Sequence, residues 1–409
     1  MNQISVGPTT ETDRIQSIDV LRGFAVLGIL AMNIRGFSSP WITYLNPASY
    51  GDLKGVNFLV WLFTDIFANM KFLNIFSMLY GAGILLLTER LEKRHQCPMK
   101  YHYVRSAILL LFGIMHYILI WDGDILHQYS LCAFIVYFFR KLSIRHLFLI
   151  GIFVFSIQSI LRIYHYFIVS DFPLDVYQQW LDYNWFSTNE TIDEILNVFK
   201  GNIIGQITYR FQDSLFYFIH HTLSKGIIFQ PLAMMLIGMA LYKYSVFNAN
   251  RSTIFYKRLI IFSFIIGMPF VAYSAYLMVS SNFDALIGFF IAFQFNLWGA
   301  PFISLIYISF IMLLCKTRNY ILIKKGLAYV GRMALTNYIL QSIICTWIFF
   351  GHGLGLFGTI ERSAQVLIVV LVWAIQLLLS YIWLDHFRFG PLEWIWRSLT
   401  YWKLQPILK

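Results

Sequence analysis

The sequence predicts an all-α fold, a polytopic transmembrane helix bundle, on three observations. First, 58% of the 409 residues are hydrophobic and only 12% charged, with a mean hydropathy of +0.64; soluble chains hold about 45–50% apolar and about 25% charged residues. Second, the apolar residues fall in repeated runs of about 17–25, each long enough to cross roughly 30 Å of hydrocarbon as a helix. Third, basic and acidic residues concentrate in alternate connections between those runs, the asymmetry that orients membrane helices. A soluble enzyme, a disordered chain, a fibre and a nucleic-acid-binding domain are excluded. The excess of 31 Lys and Arg over 20 Asp and Glu, a net +11, serves helix orientation and contact with the lipid bilayer rather than nucleic acid.

The first 19 residues are polar and lack an apolar h-region, so no cleavable signal is expected and the first run should be a retained helix. The segment from Glu89 to Arg105 carries Arg90, Lys93, Arg94, Lys100 and Arg105 and is expected in the cytoplasm, whereas Trp121-Asp122-Gly123-Asp124 has no Lys or Arg and should face out. Arg140, Lys141 and Arg145 bring the chain back in. The acidic stretch from Ser170 to Asn202 reads as external; Lys243, Arg251, Lys257 and Arg258 are inside, Ser281–Asp284 outside, Lys316–Lys325 inside, the Gly-rich stretch around His352 outside and the basic tail inside.

The alternation closes with ten crossings, expected at 20–36, 72–88, 104–121, 125–140, 147–168, 226–242, 259–280, 285–315, 327–350 and 364–386, and with both termini cytoplasmic. Segments 56–70 and 206–222 are amphipathic and are expected to be interfacial or re-entrant. Gly299-Ala300-Pro301 should kink the long 285–315 run. The organisation is thus a cytoplasmic N-terminal segment (1–19), one transmembrane domain (20–386) with an external loop at about 169–205, and a cytoplasmic interfacial C-terminal segment (387–409).

Polar residues inside apolar runs carry the functional information, since a charge at mid-membrane costs about 2.5–3.5 kcal/mol on insertion scales. Asp19 and Arg22, three apart on one helix face, can pair, and Gly23 beside them would let a helix or a ligand approach closely. They form either a topology anchor or a cationic site for a phosphate-bearing donor; Asn33 stands near the far end of the same run. His116 lies near the hairpin carrying Asp122 and Asp124, where a carboxylate can fix the tautomer of a general base; Asp122-Gly123 alone would also suit a turn. Arg332, Asn337, Gln341 and Ser342 put a polar stripe on one helix, as a site or as interhelical glue. Phe389–Arg397 has Trp residues suited to the interface and Glu393 four before Arg397, spaced to pair on an interfacial helix.

No metal site is expected. Cys97, Cys132, Cys315 and Cys345 form no close pair, and three fall in apolar runs. Adjacent His220 and His221 point apart on a helix. Gly353, Gly355 and Gly358 match a dinucleotide fingerprint by spacing but no strand precedes them.

Five motifs, RIQSIDVLRGFAVLGILAMN, FSMLYGAG, FGIMHYILIWDGDIL, GRMALTNYILQS and FGPLEWIWRSLTYWKLQP, occur in order from Arg14 to Pro406. With them the chain resembles the YeiB-like family of bacterial inner-membrane proteins, a domain of unknown function. The D-x-x-R-G pattern at Asp19, Arg22 and Gly23 also looks like the first helix of a wider group of transmembrane acyltransferases, heparan glucosaminide acetyltransferase among them. That resemblance implies a multi-pass protein of the bacterial cytoplasmic (inner) membrane that moves an acyl group from a cytoplasmic acyl-coenzyme A donor, bound only as co-substrate, to an envelope glycan or lipid acceptor.

The catalytic His of that group follows the first helix, but Ile34–Lys71 holds no His, so His116 would take the role. On this reading Arg22, with Asp19, Gly23, Arg332 and Asn337, holds the donor; Asp122 or Asp124 orients His116; and Asn33 or Asn337 donates to the developing oxyanion. Two other readings use the same residues: a transporter or exporter in which these charges line an alternating-access cavity, and a non-catalytic partner in envelope assembly.

Overall fold

The computed structural model of the chain describes residues 14–219 and 226–409. In chain order its helices are α1 (Gln16–Ser38), α2 (Ile42–Leu45), α3 (Gly55–Phe67), α4 (Lys71–Lys93), α5 (Pro98–Leu119), α6 (Leu126–Val136), α7 (Ile144–Ser170), α8 (Leu174–Leu181), α9 (Asn189–Lys200), α10 (Ile203–Ile219), α11 (Phe229–Lys243), α12 (Thr253–Ser280), α13 (Phe293–Lys316), α14 (Ile321–Arg332), α15 (Ala334–Phe349), α16 (Arg362–His386) and α17 (Pro391–Tyr401). Among the described residues the other regular pairing is one antiparallel bridge, Phe387 to Leu408. The fold is all-α, as the composition requires.

Among the described residues, seven helical stretches are long and apolar enough to cross a membrane: Gln16–Ser38, Gly55–Lys93, Pro98–Leu119, Ile144–Ser170, Thr253–Ser280, Ile287–Lys316 and Arg362–His386. All ten expected positions carry helix, but three are shorter pieces. The 125–140 run is α6 extended by a 3₁₀ turn at Tyr137–Phe139; the 226–242 run is the 15-residue α11; the 327–350 run divides at Met333 into α14 and α15.

Burial separates the helices into two classes. In α1, 78% of the apolar window is buried, and α11 buries Gln230–Leu236 and Gly238–Ala240 on every side. A helix apolar all round belongs in the middle of a bundle. In α7 and α12 only 28% of the window is buried, and in α16 only 22%. These three present Phe153, Ile160, Ile261, Ile265, Leu367 and Leu371 outward, a surface suited to lipid chains and not to water.

The segment expected to be an external loop from about 169 to 205 is instead largely helical. It holds α8, a π-helical turn at Asp182–Phe186 and α9, whose start is capped by Thr188 Oγ1 accepting the Thr191 N–H at 3.2 Å. The hydropathy signal missed these helices because only one narrow face of each is apolar: α9 buries just Ile192 and Phe199. Segment 56–70 becomes α3, which buries Asn57, Trp61 and Asp65 at four-residue intervals. Met70 at φ 66° ends this piece before α4 begins. Segment 206–222 is covered by α10 as far as Ile219; His220 and His221 lie outside the described residues. Pro301 sits inside a helix that continues through it.

The C-terminal segment clamps the bundle. Glu393 of α17 accepts the N–H groups of Leu335 (2.7 Å) and Thr336 (3.1 Å) and the hydroxyl of Thr336 (2.6 Å). It thus satisfies the bare N-terminus of α15 at the helix interruption at Met333, rather than holding Arg397 at hydrogen-bond distance as the i,i+4 spacing suggested. Glu393→Ala is expected to destabilise the protein by about 1–3 kcal/mol, the cost of orphaning buried donors. The check is a lowered melting temperature of the detergent-purified protein, with Glu393→Gln between the two.

Candidate functional site

The hairpin between α5 and α6 brings three ionisable side chains into contact. Asp124 Oδ1 is 2.8 Å from His116 Nδ1, and Asp124 Oδ2 is 2.8 Å from His127 Nδ1. Oδ2 also accepts the His127 backbone N–H at 2.9 Å, so the carboxylate anchors the start of α6 while it bridges the rings. With both Nδ1 atoms donating to a carboxylate, the lone pair of each imidazole is on Nε2, the arrangement of a general base. Burial acts to raise the Asp124 carboxyl, but the hydrogen bonds and charge of the two imidazoles hold it down at about 2, so at neutral pH it is a carboxylate.

Packing explains why these groups meet. Gly113 of α5 lies directly under the hairpin: a Cβ there would stand 2.4 Å from the His127 backbone nitrogen and 3.0 Å from Asp124 Oδ2. On the other side Tyr338 of α15 reaches the hairpin, its hydroxyl accepting the Ile125 N–H at 3.2 Å. The FGIMHYILIWDGDIL and GRMALTNYILQS motifs are therefore in contact, although more than two hundred residues separate Ile125 and Tyr338.

A cavity of about 760 Å³ opens beside this cluster. Asn33, Asp122, Asp124 and His127 line it, together with Gln128 and Tyr117; Trp41, Trp61, Trp121 and Trp185 supply apolar walls, and Asp65, Gln158, Arg162 and Asn296 polar ones. Concave space with an apolar wall and a few convergent polar groups is the usual form of a ligand site. His116 is one layer behind, buried between Tyr338 (ring centroids 5.3 Å apart) and Trp121, and its Nε2 meets no hydrogen-bond partner.

Of the residues that the sequence singled out, Asn33, Asp122 and Asp124 share this cavity, and His116 touches it through Asp124. His127 directly follows the FGIMHYILIWDGDIL motif and is given no role by the sequence; the structure puts it on the wall. An Asp three residues before a His at a helix start was the available signal, since that spacing lets a side chain cap the helix.

The remaining candidates lie elsewhere. Asp19, Arg22, Gly23, Arg332 and Asn337 do not line the cavity. Asp19 is gripped by Arg22 at 3.0 Å and by Arg14 at 3.2 Å. The close approach allowed by Gly23 is taken by a helix: its Cβ would fall 1.9 Å from the Leu327 carbonyl oxygen, and a Cβ on Gly331 would fall 1.9 Å from the Asp19 carbonyl oxygen. Asn337 donates to Ser380 Oγ (2.9 Å) and the Val330 carbonyl (3.2 Å), Gln376 donates to the Asn337 carbonyl (2.8 Å), and Gln341 donates to Gln376 (2.9 Å) and the Val26 carbonyl (3.1 Å). The stripe on α15 is interhelical hydrogen bonding to α1 and α16. Arg332 reaches the Arg388 carbonyl at 3.4 Å and stacks beside Tyr329.

No solved structure matches the chain. The family description "Protein of unknown function (DUF418)" matches residues 241–403. "Uncharacterized protein YxaH" of Bacillus subtilis (strain 168) is 32% identical over 99% of this chain and 98% of its own length. "Uncharacterized protein YeiB" of Escherichia coli (strain K12) is 32% identical over 95% of this chain and 96% of its own. Near-full-length likeness to these bacterial proteins, on a bundle with seven helical stretches among the described residues able to span a bilayer, makes this chain a multi-pass integral membrane protein of the DUF418 family.

Proposed function

We propose that the protein is a membrane acyltransferase of the bacterial inner membrane, moving an acyl group from an acyl-coenzyme A donor to an envelope glycan or lipid. The observation that supports this most directly is the His127–Asp124–His116 cluster with His127 on the cavity wall. In the proposed reaction the acceptor's hydroxyl or amine gives its proton to His127 Nε2 as its oxygen or nitrogen attacks the thioester carbonyl. The C–S bond then breaks, and the departing thiolate takes the proton from the imidazolium. Asp124 holds the ring orientation and stabilises the imidazolium, and Asn33, which lines the same cavity, would donate to the oxyanion. We read the topology as ten crossings, with the hairpin outward and the Arg22 end cytoplasmic.

The test is purified protein with labelled acetyl-coenzyme A and envelope extract. His127→Ala should lower transfer by roughly 10²–10⁴-fold, the usual worth of a general base, and His116→Ala by less. No transfer by the native protein, together with full complementation by His127→Ala, would sink the proposal. One observation favours transport as the second reading: fully buried Lys71 bonds to the Asp65 carbonyl (2.9 Å) and Asn296 Oδ1 (2.5 Å) beside the cavity, and intramembrane charges often mark pathways. Substrate-dependent flux into liposomes without covalent change would establish that reading instead.

A further inference from the structure

We infer that Arg14, Arg22, Arg105 and Arg397 form a binding site for a phosphate or pyrophosphate group, separate from the cavity and at the other end of α1. From Asn33 on the cavity wall to Arg22 is eleven positions, roughly 17 Å along a helix axis. Three elements converge there: the start of α1 with Arg14 and Arg22, the second turn of α5 with Arg105, and α17 with Arg397. The last two are locked together, since Trp396 Nε1 donates to the Arg105 carbonyl at 2.9 Å and the Arg105 guanidinium lies 3.7 Å over the Trp396 ring. Arg105 is within electrostatic reach of Arg22, and Arg397 of both Arg105 and Arg14.

Among the described residues, the carboxylates facing this group are Asp19 and Glu393, and both are engaged. Asp19 gives one oxygen to Arg14 and the other to Arg22. Glu393 has both oxygens on the start of α15. Arg105 and Arg397 are left on aromatic faces, the latter 4.6 Å from the Phe389 ring centre, and Arg14 Nε is buried without a partner. Among the described residues, four guanidinium groups thus meet two carboxylates. Burial lowers the Arg397 guanidinium from its ordinary value, and the neighbouring charges of Arg105 and Arg14 lower it further.

A phosphate relieves that repulsion, and its oxygens match the planar donor forks of Arg better than those of any other side chain. Access is open, since the side chains of Arg22 and Arg14 are 29% and 16% exposed and Arg105 and Arg397 are half-buried. The site goes beyond the acyl-transfer reading and stands without it. A soluble phosphate ester and an anionic lipid headgroup offer the same chemistry.

The test uses the full chain in phosphatidylcholine nanodiscs, titrated calorimetrically with inorganic pyrophosphate, and a parallel set of discs containing phosphatidylglycerol. Arg105→Gln and Arg397→Gln should each weaken pyrophosphate binding by about tenfold or more, as expected for a charge-assisted hydrogen bond. Arg388→Gln, on the exposed surface, should leave it unchanged. Pyrophosphate affinity unaffected by phosphatidylglycerol identifies a soluble ligand. Affinity suppressed by phosphatidylglycerol, with that lipid retained selectively in native mass spectra, identifies a headgroup. Arg105→Lys keeps a charge on the Trp396 face and serves if Arg105→Gln does not fold; it should show a smaller loss. Absence of both pyrophosphate binding and selective lipid retention overturns the inference, as does affinity unchanged in folded Arg105 and Arg397 variants.

Discussion

An Asp124→Asn variant is expected to lose roughly 10²–10⁴-fold in acyl transfer while still inserting as a helical bundle. Asn has one acceptor oxygen where the native residue has two, and both are occupied: one by His116, the other by the ring and the backbone N–H of His127. The amide NH₂ would face an Nδ1–H on one of the two rings, forcing that imidazole to flip or change tautomer. Either change moves the basic lone pair away from its present position. The readout is initial transfer rate against envelope extract, with size-exclusion behaviour as the folding check. Native rates in Asp124→Asn would remove the cluster from the chemistry. A collapse of both rate and folding would be uninformative alone, so His127→Gln, which leaves the carboxylate in place, decides between them: it should fold normally and still be slow.

The second large effect is on assembly. Gly23→Ala and Gly331→Ala are each expected to cost at least about 3 kcal/mol, because the added methyl cannot be absorbed by a flexible neighbour. Each Cβ would meet backbone carbonyl oxygen at 1.9 Å, so α1 and α14 would have to separate. Since α1 is the most buried of the long helices, moving it disturbs the packing of Leu27, Val330 and Ala334 in the same cluster. The measurement is the yield of monodisperse protein after membrane extraction, with an exposed-face substitution such as Leu371→Ala as reference. Normal yield of Gly23→Ala with loss of ligand binding would instead show that the gap at Gly23 serves a ligand.

How much of this was legible in the sequence depends on the range of the interaction. The α1, α4, α5, α7, α12, α13 and α16 segments were legible because the free energy of leaving water for hydrocarbon adds up along a contiguous run. The helices at 174–200 were not, because a narrow apolar face on a polar helix barely moves a window average. The hairpin cluster was half legible. His116 with Asp122 and Asp124 stood out as polar groups at the end of an apolar run, but the role of His127 needed the helix start that places its ring on the second carboxylate oxygen.

The grouping of residues into sites was decided by tertiary structure alone. Asp19, Arg22 and Asn33 share one helix, and the acyltransferase resemblance put them in one reaction scheme with Asn337. In the fold Asn33 faces the cavity, Arg22 joins Arg14, Arg105 and Arg397 at the opposite end, and Asn337 bonds α15 to α16. The sequence by itself determined that the chain is a helical membrane protein and which polar residues are costly enough to need partners. Which partner each one found was set by where backbones can touch, at Gly23 against Gly331 and at Gly113 beneath the hairpin. In lipid, apolar side chains gain nothing by choosing one helix over another, so shape and scattered hydrogen bonds decide the pairing, and neither leaves a local pattern in the chain.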